Sequence, residues 1–148
     1  MTRYYDTGVL LKLYTVEPES PAVRRFVVRK KDPVYLTSLH RSEIVSAFRL
    51  KVFRGECDET TAAGAIADFE DDLSSGVIRL VGLDWDHAWI ACRELSNAHA
   101  GTTGCRTLDA LHVACARTLS IREFVTTDKR QATLARHAGM RVSSPDGG

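Results

Sequence analysis

The stretch that decides the fold is Arg3–Leu13, which reads Arg-Tyr-Tyr-Asp-Thr-Gly-Val-Leu-Leu-Lys-Leu. Tyr4 and Tyr5 predict a short buried strand, because aromatic residues pack well on a pleated surface. Asp6 interrupts the apolar run, and Thr7-Gly8 supplies turn residues after which a helix can begin. A carboxylate at the carboxyl end of a first strand lies where open α/β sheets bind their ligands. The alternative is that Asp6 only caps the following helix, since aspartate is a favoured N-cap residue.

Strand and helix signals alternate along the rest of the chain. Runs of β-branched and aliphatic residues predict strands, and apolar residues at three- and four-residue spacing predict helices between them. The predicted strands are 4–5, 34–37, 77–83, 123–127 and 140–142, and the predicted helices are 9–14, 21–31, 39–54, 58–73, 84–98, 108–118 and 129–137. Residues Ala100–Gly104 are predicted as a loop, Ser20, Ser38, Asp58 and Thr107 as helix N-caps, and Gly76 and Gly139 as residues that end helices. This rhythm indicates βαβ units, so we expect an α/β fold with a three-layer α/β/α sandwich.

Length and composition set the broad class of the protein. The 148 residues are 44% hydrophobic and 26% charged, which is ordinary for a globular domain with its own core. We expect one domain over residues 1–142 and a disordered tail over residues 143–148. The net charge of +1 gives no overall attraction to nucleic acid, so such binding has to come from local basic patches.

The cysteines and the apolar runs bear on where the protein works. The four cysteines form no Cys-x-x-Cys pair, so we expect reduced thiols in a cytoplasmic protein rather than a zinc site. No run of about 18 apolar residues would span a membrane. The N-terminus lacks the apolar region of a secretory signal. We therefore expect no membrane partner.

Four acidic residues occupy matching positions in the predicted fold. Asp6 and Asp128 each directly follow a strand, and Glu43 and Asp109 each lie near the start of a helix. Since the carboxyl ends of parallel strands share one edge, we expect the four side chains to meet there. Unit charges about 4 Å apart repel by about 4 kcal/mol at an effective dielectric near 20, so the cluster needs a cation or raises some of its own pKa values. Oxygen ligands without histidine or cysteine favour Mg²⁺ or Mn²⁺ over zinc.

Each acid also has a purely structural explanation. Glu43 and Asp109 lie where the helix dipole favours negative charge, and Asp128 can cap the helix that follows it. Any one of them alone is more simply structural, but four together at strand ends and helix starts indicate a joint acidic site. His112 lies one turn after Asp109, where it could contact substrate or metal; we interpret it as a hydrogen-bonded structural histidine, because such histidines are commoner.

Basic residues lie close in sequence to three of these acids, and a further basic face covers residues 24–31. A positive rim around a metal-filled acidic centre suits a phosphodiester backbone, which needs charge neutralisation along its length and a metal at the cleaved bond. The alternative for each basic residue is a solvated surface charge. The candidates for binding such a backbone beside the acids are Arg41, Arg106, Lys129 and Arg130.

Four motifs follow one another in order over nearly the whole chain. They are Tyr-Tyr-Asp-Thr-Gly-Val-Leu-Leu-Lys-Leu-Tyr at 4–14, Arg-Ser-Glu-Ile-Val-Ser-Ala-Phe at 41–48, Thr-Leu-Asp-Ala-Leu-His-Val-Ala at 107–114 and Thr-Thr-Asp-Lys-Arg at 126–130. Together they resemble the PIN-domain ribonucleases, and by pattern the VapC-type toxins of bacterial and archaeal toxin–antitoxin pairs. Gly8 departs from this pattern, because the family more often has serine there.

This resemblance implies a fold, an activity and partners. The fold is a five-stranded, mainly parallel PIN-like sandwich, and the activity is Mg²⁺- or Mn²⁺-dependent endonuclease cleavage of RNA. The partners are the RNA substrate, a small antitoxin that docks over the active site, and a second copy of the chain in a homodimer. By motif, the catalytic metal ligands would be Asp6, Glu43, Asp109 and Asp128, supported by the hydroxyls of Thr7 and Thr126.

Other functions share parts of this pattern. A PIN-domain RNA-processing nuclease without a toxin role would carry the same motifs. A non-catalytic module or a Mg²⁺-binding signalling α/β domain would share the fold, although a phosphate-accepting domain usually has paired acids at the first strand, where Asp6 stands alone. A haloacid-type phosphatase needs Asp-x-Asp, and Asp6-Thr7-Gly8 lacks the second acid.

Overall fold

The structure is a computed structural model that describes residues 1–146. Within that range the chain forms five strands and seven helices. The strands are β1 (Arg3–Tyr5), β2 (Val34–Leu36), β3 (Ile78–Leu80), β4 (Glu123–Val125) and β5 (Arg141–Ser143). The helices are α1 (Thr7–Leu11), α2 (Ser20–Lys30), α3 (Ser38–Phe53), α4 (Glu59–Ser75), α5 (Trp85–Thr103), α6 (Thr107–Thr118) and α7 (Lys129–His137).

The described chain divides into two compact units. The first unit comprises Met1–Asp6 and the chain from Gly82 onward, and the second comprises Thr7–Val81. The single domain over residues 1–142 stays a prediction. Ser143, where the predicted tail begins, is the last residue of β5, and Gly147 and Gly148 lie outside the described residues.

The first unit is built on the parallel sheet β1-β4-β5. Its core begins with the aromatic residues of the opening stretch, since Tyr4 pairs with Phe124 in the strand register and their rings stack at 5.4 Å. The helices α5, α6 and α7 pack together in this unit. α6 is buried along seven consecutive residues, Ala110–Ala116, which is the pattern of a helix covered on all sides. The strand ends of this sheet are therefore held by a well-packed core.

The second unit contains the parallel pair β2-β3 and the helices α1 to α4. Ile44 and Phe48 form the buried stripe of α3, and Phe69 is its counterpart on α4. α4 begins and ends at the predicted signals: the Asp58 side chain accepts from the N–H of Thr61, and Gly76 closes the helix with a left-handed φ of 79°.

The α/β class and the parallel pairing are confirmed. The prediction of one five-stranded sheet needs a correction, because the described strands pair as a three-stranded and a two-stranded sheet. Each strand has only three residues, so each ladder depends on a few hydrogen bonds. Periodicity in a sequence identifies such strands but does not say which of them pair.

Several helix boundaries also differ from the predictions. The predicted loop Ala100–Gly104 is wrong over residues 100–103, because α5 continues to Thr103 and ends at Gly104 with φ 70°. Three N-caps lie one residue earlier than predicted, at Glu19, Thr37 and Arg106. None of the helices in the described part of the chain is both long and apolar enough to cross a membrane.

Candidate active site

Asp6 lies at the strand-end edge of the first unit. Its N–H donates to the carbonyl of Val125 at 3.0 Å, which extends the β1–β4 ladder by one residue. Its side chain is only 6% exposed, and its Oδ2 accepts a hydrogen bond from the Thr126 hydroxyl. The sheet therefore brings together an acid after β1 and a hydroxyl after β4, as parallel strand ends require.

Thr126 is the centre of a buried network. Besides contacting Asp6, its Oγ1 lies 2.9 Å from Oε1 of Gln131 and accepts from the N–H of Asp128 at 3.0 Å. Nε2 of Gln131 in turn donates to the carbonyl of Asp109 at 3.3 Å. Thr126 is 2% exposed and Gln131 is 3% exposed. Through these two side chains the positions of three predicted site residues are connected within one unit.

Gln131 is the site residue that the sequence analysis missed. Its position in the first turn of α7, three residues after Asp128, is the signal that could have identified it. A side chain in a first helical turn points back toward the segment before the helix, which here carries Thr126.

Asp128 lies between the end of β4 and the start of α7, and it is the N-cap of α7. Its Oδ1 accepts from the N–H of Arg130 at 2.8 Å and from the N–H of Gln131 at 3.1 Å. Asp128 thus caps the helix, as its structural explanation predicted, and it does so with one carboxylate oxygen. The residue is exposed, so its carboxylate borders solvent at the same edge as Asp6.

Asp109 lies in the first turn of α6 and is half-buried. Burial is the main cause that raises the pKa of the Cys105 thiol; among the smaller effects, Asp109 and Asp128 raise this pKa further and Arg130 lowers it.

Glu43 and Thr7 are paired within the second unit. The Thr7 hydroxyl donates to Oε2 of Glu43 at 2.5 Å, and Thr7 is buried while Glu43 is half-buried. Glu43 lies in the second turn of α3. Thr7 directly follows Asp6 in the chain. Each of the two threonines predicted as supporting residues therefore donates a hydrogen bond to a predicted acid.

The four basic candidates differ in how their side chains are engaged. Arg41 donates from Nε and Nη2 to the two carboxylate oxygens of Glu70, at 3.0 and 2.6 Å, and this pairing raises the pKa of Arg41. Arg130 packs against Gly104, because a Cβ added at Gly104 would lie 3.7 Å from Nε of Arg130. Arg106 and Lys129 are exposed. The Glu70 pairing leaves Arg41 the weakest candidate for RNA binding, because a phosphate would have to replace that carboxylate.

Comparison with known proteins identifies the family of this chain. The chain matches the PIN domain family model over residues 3–137. It belongs to the PIN domain family. Ribonuclease VapC46 of Mycobacterium tuberculosis is 28% identical over 152 aligned positions, which cover 96% of each protein.

Solved structures share the PIN fold. VapC20 of M. tuberculosis, a toxin that cleaves the sarcin–ricin loop, has a TM-score of 0.65 at 19% identity, covering 89% of this chain and 94% of that chain. VapBC-1 of nontypeable Haemophilus influenzae has a TM-score of 0.66 at 12% identity with 99% of both chains covered. FitAcB of Neisseria gonorrhoeae has a TM-score of 0.63 at 17% identity with 98% of both chains covered. At such low identities the likeness concerns the fold.

His112 in this PIN domain has the structural surroundings that we inferred for it. Its Nδ1 lies 2.8 Å from the Tyr4 hydroxyl, and both side chains are buried. This contact joins α6 to β1, the strand that leads into Asp6. A buried imidazole nitrogen that is occupied in this way serves the packing of the unit.

We expect Tyr4→Phe to lower the free energy of unfolding by about 1–3 kcal/mol, because it leaves a buried imidazole nitrogen without this partner. Urea unfolding monitored by circular dichroism measures the change. The matched control is Tyr35→Phe, at a half-buried position of β2. For this variant we expect the free energy of unfolding to change by no more than about 0.5 kcal/mol. Equal stability of Tyr4→Phe and the wild type would contradict a structural role for the Tyr4–His112 contact.

The carboxylates as they stand do not form a ready ligand set. Among residues 1–146, no three His, Cys, Asp or Glu side chains come together in an arrangement that would hold a metal ion. Asp6 is engaged by Thr126, and one oxygen of Asp128 is engaged by the start of α7. The donor chemistry is nevertheless entirely oxygen, which is what Mg²⁺ and Mn²⁺ prefer. The residues therefore fit a hard cation by donor type.

Proposed function

We propose that this PIN domain is a metal-dependent endoribonuclease and the toxin of a type II toxin–antitoxin pair. The observation that carries the proposal is the buried Asp6 carboxylate, linked through Thr126 and Gln131 to the positions of Asp109 and Asp128. Membership of the PIN family and similarity to a VapC ribonuclease support the choice of RNA as substrate.

For the cation we propose Mg²⁺ or Mn²⁺, held by Asp6, Glu43, Asp109 and Asp128. When bound, such an ion offsets the repulsion between carboxylates, stabilises charge on a phosphoryl group and lowers the pKa of water. The hydroxyls of Thr126 and Thr7 donate hydrogen bonds to carboxylate oxygens of Asp6 and Glu43 and so restrict the positions of these two side chains. Two of the four proposed ligands are thus held by neutral donors.

Asp109 is our candidate for the residue that orients or deprotonates the attacking water. It is half-buried at the start of α6, and its backbone carbonyl is fixed by Gln131. A general base needs a fixed position within hydrogen-bond reach of the water. His112 is not our candidate for this role, because its Nδ1 lies against the buried Tyr4 hydroxyl.

The test of this function is RNA cleavage by the purified protein with and without the cation. We expect total cellular RNA to be cut at a small set of positions when Mg²⁺ is present, and cleavage to stop when excess EDTA is added. Sequencing of the new RNA ends identifies the cleaved sites. Cleavage that continues unchanged in EDTA would contradict a metal-dependent nuclease.

The basic rim allows a matched comparison between two arginines. We expect Arg130→Gln to weaken RNA binding several-fold and to reduce the salt dependence, with the slope of log K against log[salt] falling by about 0.7–0.9, the effect of one phosphate contact. Arg41→Gln should change neither quantity, because Glu70 already neutralises Arg41. Filter binding in the presence of EDTA, over a series of salt concentrations, measures both. A larger effect of Arg41→Gln than of Arg130→Gln would contradict this assignment.

For partners we propose a small antitoxin protein and a second copy of the chain. The similar structures include VapC20, which is described as a toxin, and the resemblance to VapC-type proteins implies an antitoxin. Exposed apolar side chains offer area for such contacts, among them Phe53 at the end of α3 and Trp89 and Ile90 on α5. Trp89 is 48% exposed, which favours a contact role over a core role for this residue.

A further inference from the structure

We propose that Gln131 is a positioning residue that sets the spacing of Asp6, Asp109 and Asp128 for cation binding. The inference rests on the proposed function, because it concerns the same acidic site. It assigns a role to a neutral side chain that does not itself need to contact the cation or the RNA.

The polar amide of Gln131 is buried. Gln131 is 3% exposed in the first turn of α7, among the buried residues Ala132, Leu134 and Ala135 of the same helix. An amide that leaves water without partners is costly, whereas an apolar side chain of similar length would fill the position without that cost. The amide is tolerated there because its Nε2 donates to the Asp109 carbonyl at 3.3 Å and its Oε1 lies 2.9 Å from Oγ1 of Thr126, a possible donor.

The two partners of this amide determine its orientation. The carbonyl of Asp109 can only accept a hydrogen bond, so Nε2 of Gln131 faces Asp109 and Oε1 faces Thr126. The main chain of Gln131 also donates to Asp128 Oδ1 at 3.1 Å. One residue thus contacts the start of α6, the residue after β4 and the cap of α7.

The Thr126 hydroxyl has a single proton to donate. This proton has two possible acceptors, Asp6 Oδ2 and Gln131 Oε1, and it can be donated to only one of them at a time. If a cation engages Asp6, the hydroxyl can turn to Gln131 and stay satisfied. Without the amide, the buried hydroxyl would lose its only other acceptor in this network, and release of Asp6 would leave a donor unpaired.

The test is the affinity of the RNA-free protein for Mg²⁺ alone, measured by isothermal titration calorimetry. Gln131→Met keeps the length of the side chain and removes both hydrogen bonds. We expect it to raise the Kd for Mg²⁺ about tenfold, the size of effect that corresponds to one net hydrogen bond. Leu134→Val, a fully buried residue of the same helix, should lower the melting temperature and leave the Kd unchanged.

A double-mutant cycle separates positioning from general destabilisation. Thr126→Val and Gln131→Met act on one network, so we expect the Kd of the double variant to be no higher than that of the weaker-binding single variant. Fully additive effects would overturn the inference, as would a Kd for Leu134→Val raised as much as that for Gln131→Met.

The outcomes distinguish this inference from the function on which it rests. A wild-type protein that binds no Mg²⁺ would overturn both. Wild-type binding with an unchanged Kd in Gln131→Met would overturn only the role of Gln131. If Gln131→Met fails to fold, Gln131→Asn serves instead, because its shorter side chain cannot reach both Thr126 and the Asp109 carbonyl, and the same tenfold increase is expected.

Discussion

Asp6→Asn is expected to lower the rate of Mg²⁺-dependent RNA cleavage by about a thousandfold or more. The amide keeps an oxygen that can accept from Thr126, so the local packing at the end of β1 is preserved. What is lost is the negative charge at the most buried of the four acids. Loss of one preorganised electrostatic group in a nuclease centre commonly costs on the order of 10²–10³ in rate, and loss of the cation would add to that.

Single-turnover cleavage of a labelled RNA measures this change. Asp86→Asn, an exposed acid in the first turn of α5, is the matched control and should cleave as the wild type does. The melting temperature of Asp6→Asn should stay within a few degrees of that of the wild type, which separates loss of chemistry from loss of fold. An Asp6→Asn protein that cleaves within threefold of the wild-type rate would rule out Asp6 as a catalytic ligand.

The second large effect concerns growth. Expression of the wild-type chain without a partner should arrest growth of the host, and Asp109→Asn should restore colony formation by several orders of magnitude. The variant changes only the charge of the side chain, and its backbone carbonyl still accepts from Gln131, so the α6–α7 connection is kept. Colony counts after induction, with equal soluble protein verified by immunoblot, measure the effect.

Two results would change this interpretation in different ways. Arrest that persists in Asp109→Asn would show that the toxicity does not come from the acidic site. A wild-type chain that cleaves RNA in vitro but leaves growth unaffected would favour an RNA-processing nuclease over a toxin. Co-expression of a cognate antitoxin should prevent the arrest by the wild type.

Features that depend on neighbouring residues could be predicted from the sequence. α7 has the predicted bounds, because Asp128 caps it and Gly139 follows its end with a left-handed φ of 81°. The Asp58 cap and the Gly76 stop of α4 were identified by the same local chemistry. That the residues after β1 and β4 share one edge was predicted from the order of elements alone, and Asp6 contacts Thr126 at that edge.

Features that depend on distant residues could not be predicted. The bidentate Arg41–Glu70 pair joins residues from two helices, and no local signal shows that this arginine is already neutralised. The division of the strands into two sheets depends on pairings between three-residue segments far apart in the chain. Gln131 was missed because its role comes from two partners outside its own helix, Thr126 and the Asp109 carbonyl.

We propose that acids separated in sequence bind one hard cation at the strand ends. The most direct measurement is a crystal structure of the protein grown with Mn²⁺, with the ion located from its anomalous signal. We predict an ion at about 2.1 Å, the distance typical of a small hard cation, from a carboxylate oxygen of Asp6 and from one of Asp109 or Asp128. A structure in which Mn²⁺ binds elsewhere, while the Asp6 carboxylate keeps its hydrogen bond to Thr126 and contacts no ion, would contradict it.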